Sequence, residues 1–313
     1  MSEQSFEPPA NPGDRPRAVI AGGTGFIGRR LSAVLGAAGW EVVVLSRAAP
    51  RTPVGPVRFV RWQGLTATTE ETWPAEVDGA RALYNLCGES VGGPRWTDAR
   101  KALLLRSRVE PARALVAAVN DAARPPPVFV QGSGVGYYGT GERTVSEQSP
   151  PGDDFLAELA VRWEAPLEDL RGDVRAVIAR LGVVLGRNGG ALAQMLMPFR
   201  LFVGGPIASG RQWLSWIHLH DAAALLAGFA DDPECRGAYN LVAPGAARNS
   251  EFAEAAGKVL KRPTFMFTPR FLLTALLGEQ AMLVCDGQHA VSDRLGGFTF
   301  GYPTLEGALV NLT

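Results

Sequence analysis

Apolar runs and helical spacings alternate along the first 185 residues. Arg17-Ala-Val-Ile-Ala21 predicts a short strand buried on both sides. A glycine-rich turn follows, then a helical pattern through Leu31, Val34 and Leu35 that stops at Gly39. Three more apolar runs, Glu41–Leu45, Val57–Trp62 and Ala82–Leu86, read as the second to fourth strands. Thr97–Ala118 is a long helical stretch, Val128-Phe-Val130 opens a fifth strand, and Val174–Leu185 contains a sixth. Runs that are apolar throughout, rather than at alternate positions, mark strands covered on both faces. Their alternation with helices predicts βαβ units and a parallel sheet. From residue 186 the pattern changes. Residues 186–216 are rich in Gly, Phe, Met and Trp without clear periodicity, residues 250–262 are helical with Asn249 or Ser250 as N-cap, residues 270–284 form an apolar helix, and a short helix lies near Thr313.

Gly22-Gly-Thr-Gly25-Phe-Ile-Gly28 joins the first strand to the first helix with GxxGxxG spacing. In that context each glycine has a physical task. Gly22 makes the tight turn, Gly25 lets the backbone approach a pyrophosphate, and Gly28 permits close helix–strand packing. The free N–H groups and positive dipole end of the helix then face the phosphates. Gly22, Thr24, Gly25, Phe26, Ile27 and Gly28 are therefore candidate cofactor-binding residues. An NAD site places an acid on the ribose hydroxyl after the second strand. Here the chain reads Leu45-Ser46-Arg47. A guanidinium forks onto a 2′-phosphate and a serine adds one hydrogen bond, so Ser46 and Arg47 point to NADP. The fold class that follows is α/β, a Rossmann-type doubly wound parallel sheet with a smaller α/β C-terminal domain. The expected division is a tail over 1–16, a nucleotide-binding domain over 17–186 with 214–235 returning to it, and a small substrate-side domain from 187–213 and 236–313.

Composition narrows the class. Lysines plus arginines and aspartates plus glutamates number 31 each, so the basic surplus of a general nucleic-acid binder is missing. Three separated cysteines, Cys87, Cys235 and Cys285, form no metal-ligand pattern and fit a reducing cytoplasm. No run of 18 apolar residues or signal-peptide pattern occurs, so neither a membrane nor a metal is expected. A small-molecule substrate is, and the composition leaves room for a homodimer.

Further motifs carry a resemblance. Asn85-Leu86-Cys87-Gly88, Gln131-Gly-Ser-Gly-Val-Gly-Tyr-Tyr-Gly139, Arg180-Leu-Gly-Val-Val-Leu-Gly186 and Trp216-Ile-His-Leu-His-Asp221 resemble the signatures of the extended short-chain dehydrogenase/reductases. Gly88-Glu89, Arg95-Trp-Thr97, Gly152-Asp-Asp-Phe-Leu-Ala157, Trp163-Glu164 and Gly210-Arg-Gln-Trp-Leu-Ser-Trp216 are similar to an atypical branch. Its members are epimerase-family, cell-division-inhibitor-like proteins completed by a C-terminal domain of unknown function, which residues 264–313 resemble. The resemblance adds Leu86, Cys87 and Gly88 to the cofactor channel. It places Gln63 beside the adenine, where the family often has Asp.

The parent family works with a Tyr-x-x-x-Lys pair and a serine. None of Tyr84, Tyr137, Tyr138, Tyr239 and Tyr302 has Lys four positions later. The Tyr position falls on Phe155 or Leu156 and the Lys position on Leu159 or Ala160. The serine falls on Ser133, or with a one-residue shift on Gly134. Ser133, Tyr137 and Tyr138 are the remaining catalytic candidates. The resemblance implies an NADP(H)-dependent epimerase or oxidoreductase acting on a small molecule. The alternative is a catalytically silent NADP(H) sensor. Glu89 reads equally as a base or as a cap of the next helix. His218 reads as a neutral core histidine and Asp221 as a helix N-cap. Trp96, Trp213, Trp216 and Phe199–Phe202 read as substrate-side or core aromatics.

Overall fold

The computed structural model describes residues 15–48, 57–65 and 71–313, so the expected tail lies outside the described residues up to residue 14. Strands β1 (Arg17–Ala21), β2 (Glu41–Ser46), β3 (Val57–Arg61), β4 (Ala82–Asn85), β5 (Val128–Gly134), β6 (Arg175–Leu181) and β7 (Gly237–Leu241) form one sheet in the order β7-β6-β5-β4-β1-β2-β3. Every neighbouring pair is parallel. The helices flanking it are α1 (Phe26–Ala37), α2 (Asp98–Asp121), α3 (Phe155–Glu164) and α5 (Leu219–Asp231), with α4 (Leu192–Arg200) between α3 and α5 in sequence. The chain order reverses at β1, whose neighbours are β2 and β4, so a crevice opens beyond their carboxyl ends.

The apolar runs divide by side-chain direction. Ala18, Ile20, Val42 and Val44 meet Leu31 and Leu35 of α1 and Leu226 and Phe229 of α5. The residues between them, Val19, Ala21, Val43 and Leu45, meet Leu115 and Val119 of α2 together with Trp62 and Trp73. Both faces are thus filled by consecutive residues of the same strands, as a parallel sheet requires.

Several boundaries differ from the sequence expectation. The expected sixth strand divides at Gly182, where a Cβ would come within 2.7 Å of the Ser215 carbonyl oxygen. Val183–Leu185 then leaves the sheet to pair with Trp216–His218. Gly237–Leu241, expected in the small domain, is instead the edge strand of the main sheet. The aperiodic stretch contains α4, which buries Leu192, Leu196 and Phe199. Helix α6 (Asn249–Leu260) starts at Asn249 rather than being capped by it. The Asn249 side chain accepts the Ile207 N–H at 2.8 Å, and Glu251 accepts the Arg248 N–H. The helix expected over 270–284 stops as α7 (Arg270–Leu277), because Gly278 takes φ 62°. Asp221 caps nothing. It lies in the first turn of α5 and accepts the N–H groups of Gly301 and Tyr302 at 2.9 and 3.0 Å, fastening the C-terminal segment to the main domain. His218 is the N-cap, and its Nδ1 accepts the His220 N–H. Burial holds the His218 imidazole below its usual pKa, and its ring stacks on Tyr302. A third core joins α4, α6 and α8 (Leu305–Leu312) around the fully buried Trp216.

Candidate cofactor and substrate site

The turn after β1 is built by close backbone approach. Gly22 has φ 79°, and a Cβ there would lie 2.6 Å from the Leu86 carbonyl, so only glycine fits. A Cβ on Gly28 would strike the Gly22 carbonyl oxygen, so α1 packs tightly under the turn. Gly25 differs: its Cβ direction meets only the Gly22 oxygen, at 3.1 Å, and the residue is exposed. Gly25 is also the N-cap of α1. It supplies no capping side chain, and the first turn carries no acid. The orphan N–H groups there have no side-chain acceptor, which fits a phosphate. The Phe26 ring faces elsewhere, toward Gly186, Gly189 and Gly190, where any Cβ would collide with it. Ile27 packs against the core of the sheet. Both side chains are therefore committed to packing. Thr24 accepts the Arg29 guanidinium on its carbonyl.

At the end of β2, Arg47 is exposed and enters no ion pair among the described residues. The Ser46 hydroxyl donates to the Ala48 carbonyl at 2.8 Å. Arg61 on β3 pairs in register with Ser46, placing a second exposed cation at this rim that the sequence reading did not single out. Gln63 is exposed just beyond β3. The strand ends opposite are fixed by buried amides. Asn85 donates to Gln131 at 3.0 Å, Gln131 donates to the Gly132 carbonyl, and the Asn85 oxygen accepts the Cys87 N–H. Burial pushes the Cys87 thiol up to about 12, with Arg47 opposing the shift. The exposed Gly88 leaves room for Arg108, whose guanidinium donates to the carbonyls of Glu89 and Leu104 and lies over Trp163. Burial lowers Arg108 to about 10. Glu89 does not cap α2. Its carboxylate lies 3.5 Å from Arg100, and Thr97 accepts the Arg100 N–H as the cap.

The three catalytic candidates are held very differently. Ser133 is buried, and its hydroxyl donates to Glu164 at 2.6 Å. Glu164 receives both arms of Arg180, at 2.9 and 2.7 Å. Arg180 also donates to the Tyr138 oxygen, and the Tyr138 hydroxyl donates to Asn240 at 2.7 Å. Burial pushes the Tyr138 phenol up despite its bond to Arg180, the wrong direction for an acid working near neutrality. Tyr137 is half-buried, with the Arg180 guanidinium 3.3 Å from its ring centre. Of the tryptophans, Trp96 and Trp216 are core residues, and Trp213 lies between the His289 ring and Arg248. No group of three His, Cys, Asp or Glu that could hold a metal occurs among the described residues.

Comparison with known proteins decides the family. The model of the NAD dependent epimerase/dehydratase family matches residues 18–241, and a domain of unknown function matches residues 268–312. The chain belongs to the NAD dependent epimerase/dehydratase family. The epimerase family protein SDR39U1 of Bos taurus is 40% identical over 302 residues, covering 94% of this chain and 98% of the relative. The epimerase family protein YfhF of Bacillus subtilis is 37% identical, covering 94% and 97%. A crystal structure of human SDR39U1 with NADPH superposes with a TM-score of 0.85 at 37% identity, covering 95% of this chain and 98% of that one.

In this member of the epimerase family, the helix expected to carry the Tyr–Lys pair presents apolar groups. Leu159 is buried. Phe155 is half-buried, stacking edge-on against Trp96 with Lys101 over its ring. Leu156 lies against the Gly136 turn. Because Phe155 is only half-buried, Phe155→Ala is expected to cost about half of the ~3–5 kcal/mol of a fully buried Phe. Leu159→Ala should cost about 2–5 kcal/mol. Urea midpoints of the two variants test the order, and a neutral Leu159→Ala would contradict this packing.

Proposed function

We propose that this protein binds NADP(H) and transfers hydride between it and a small molecule held beyond the carboxyl ends of β1, β4 and β5. The observation that carries the reading is the combination at the phosphate turn: the N-terminus of α1 without a side-chain cap under an exposed Gly25, with Arg47 in no ion pair among the described residues at the end of β2. The NADPH in the human relative's structure supports the choice of cofactor. The bound nicotinamide supplies the hydride chemistry, while the chain binds it and orients the substrate. Gly22, Thr24, Gly25 and Gly28, with the backbone of Phe26 and Ile27, would hold the pyrophosphate, and Ser46 and Arg47 the 2′-phosphate. Leu86, Cys87 and Gly88 would line the nicotinamide end and Gln63 the adenine. A reducing, cytoplasmic setting agrees with the three free thiols.

For proton transfer, Tyr137 is the one of the three candidates whose hydroxyl makes no hydrogen bond among the described residues. Ser133 and Tyr138 serve the Glu164–Arg180 network. A phenol can stabilise an oxyanion by donating a hydrogen bond without ionising. Tyr137→Phe is therefore expected to lower turnover about 10²–10³-fold with little change in NADPH affinity. The commitment of Ser133 and Tyr138 also favours a second reading, a sensor that binds NADP(H) without turnover. Single-turnover mixing separates the two. With protein in excess over NADPH and a panel of carbonyl substrates, the enzyme reading predicts loss of nicotinamide fluorescence, slowed by Tyr137→Phe. Persistence of NADPH with every substrate leaves the sensor reading.

A further inference from the structure

We propose that the face formed by the end of α4, the loop that follows it, residues 261–267 and the outer side of α7 docks the protein on an anionic phospholipid surface. Ten of the thirteen exposed large apolar side chains among the described residues lie in two stretches, 197–203 and 265–276. Phe265 is 75% exposed, Phe271 69% and Leu276 72%. Helix α7 buries none of its residues. The stretches form one surface. Met266 donates its N–H to the Gly204 carbonyl, Thr268 donates to Pro206 and Ala208 to Thr268, and the Arg262 guanidinium stands 4.2 Å from the centre of the Phe202 ring. Phe202 has φ 64°, a conformation rare for an aromatic residue, and presents its ring to solvent. Ten half-exposed large side chains amount to on the order of 1,000 Å² of apolar surface, against roughly 300–600 Å² for the largest patch of an ordinary monomer.

Charge selects the occupant. Residues 187–220 and 255–278 contain no Asp or Glu, although acids and bases balance over the whole chain. Lys258 and Arg270 are neutralised by Glu306 and Asp286 from other segments. Arg200, Lys261 and Arg262 are in no ion pair among the described residues; Arg262 lies over Phe202, Lys261 precedes it in the chain, and Arg200 directly precedes the exposed Leu201 and Phe202. A second copy docked face to face needs about 800 Å² from each partner, and this face is large enough. Isologous contact, however, would set the cations of each copy against stretches of the other that contain no Asp or Glu to answer them. An anionic bilayer surface answers both features: phenylalanine and leucine side chains enter the headgroup boundary while the cations meet lipid phosphates. Such docking needs no spanning helix, and no helix among the described residues is long and apolar enough to cross a membrane.

Flotation of the full chain with vesicles tests this. The protein is expected to float with phosphatidylcholine–phosphatidylglycerol vesicles, to stay behind with phosphatidylcholine alone, and to be partly released by salt. Lys261→Glu with Arg262→Glu should lower the bound fraction about tenfold. Phe265→Ser with Phe271→Ser should do the same, with the melting temperature unchanged because both residues are exposed. Equal flotation of either double variant and wild type would overturn the proposal. So would absence of flotation with the anionic vesicles. A wild-type dimer in light scattering that Phe271→Ser converts to monomer would assign the face to a second copy instead.

Discussion

Gly25→Val is expected to abolish NADPH binding while leaving the fold intact. Gly25 has φ −73° and ψ 176°, values a β-branched residue adopts readily. Among the described residues a Cβ there meets one heavy atom within 4 Å, the Gly22 carbonyl oxygen at 3.1 Å, so the turn has to give by only a few tenths of an ångström and the fold is kept. The pyrophosphate loses its room, because the valine methyl groups project over the N–H groups it must reach. Losing those charge-assisted contacts removes on the order of 3 kcal/mol or more, about a hundredfold in affinity. Gly22→Val is the contrasting variant. Its φ of 79° and its approach to Leu86 make it a folding defect, lowering the melting temperature before any nucleotide is added. Calorimetric titration beside a thermal melt distinguishes them, and a Gly25→Val protein that titrates like wild type would contradict the phosphate-turn assignment.

Arg180→Leu is expected to be the most destabilising single substitution in the sheet region, by about 3–5 kcal/mol. Arg180 and Glu164 are nearly inaccessible, with side-chain exposures of 6% and 10%. Removing the guanidinium leaves a buried carboxylate with Ser133 as its remaining donor, and takes from the Tyr138 oxygen its hydrogen bond. The network spans β5, the turn after it, α3, β6 and β7, so the loss is felt across four elements and one turn of the main domain. By comparison, breaking the exposed Arg162–Glu158 pair on α3 should cost only about 0.3–0.5 kcal/mol. Adding Glu164→Gln to Arg180→Leu should recover part of the loss, because the uncompensated charge is then gone. An unfolding free energy from urea titration within about 1 kcal/mol of wild type for Arg180→Leu alone would show that the pair is not the buried anchor described here.

How far the sequence was legible follows from where the determining forces act. The first five strands, α1 and the phosphate turn are local: unbroken apolar runs and a glycine triplet carry them, and the structure places them within a few residues of their expected limits. The edge strand β7 was not legible. Gly237-Ala-Tyr-Asn-Leu241 is short, opens on glycine and buries a polar residue, Asn240, whose partners come from Tyr138 and from residues 147 and 291. Asp221 was misread for the same reason, since its acceptors face Gly301 and Tyr302, eighty positions away. At the candidate site the residue types were visible but their commitments were not. Ser133 and Tyr138 have hydroxyls suited to catalysis, and only the fold reveals that Glu164 and Asn240 already occupy them. Helix α4 did leave a signal, the spacing Leu192, Leu196, Phe199, obscured by Pro198 within it.

Cofactor choice turns on Arg47 at the end of β2. Calorimetric titration of the wild-type protein with NADPH and with NADH at low salt measures this directly. NADPH is expected to bind more tightly by about 1.5–3 kcal/mol, the scale of hydrogen bonds to a charged group, and Arg47→Asp to remove or reverse the difference. Equal affinity for the two cofactors, or tighter binding of NADH, in the wild type would contradict it.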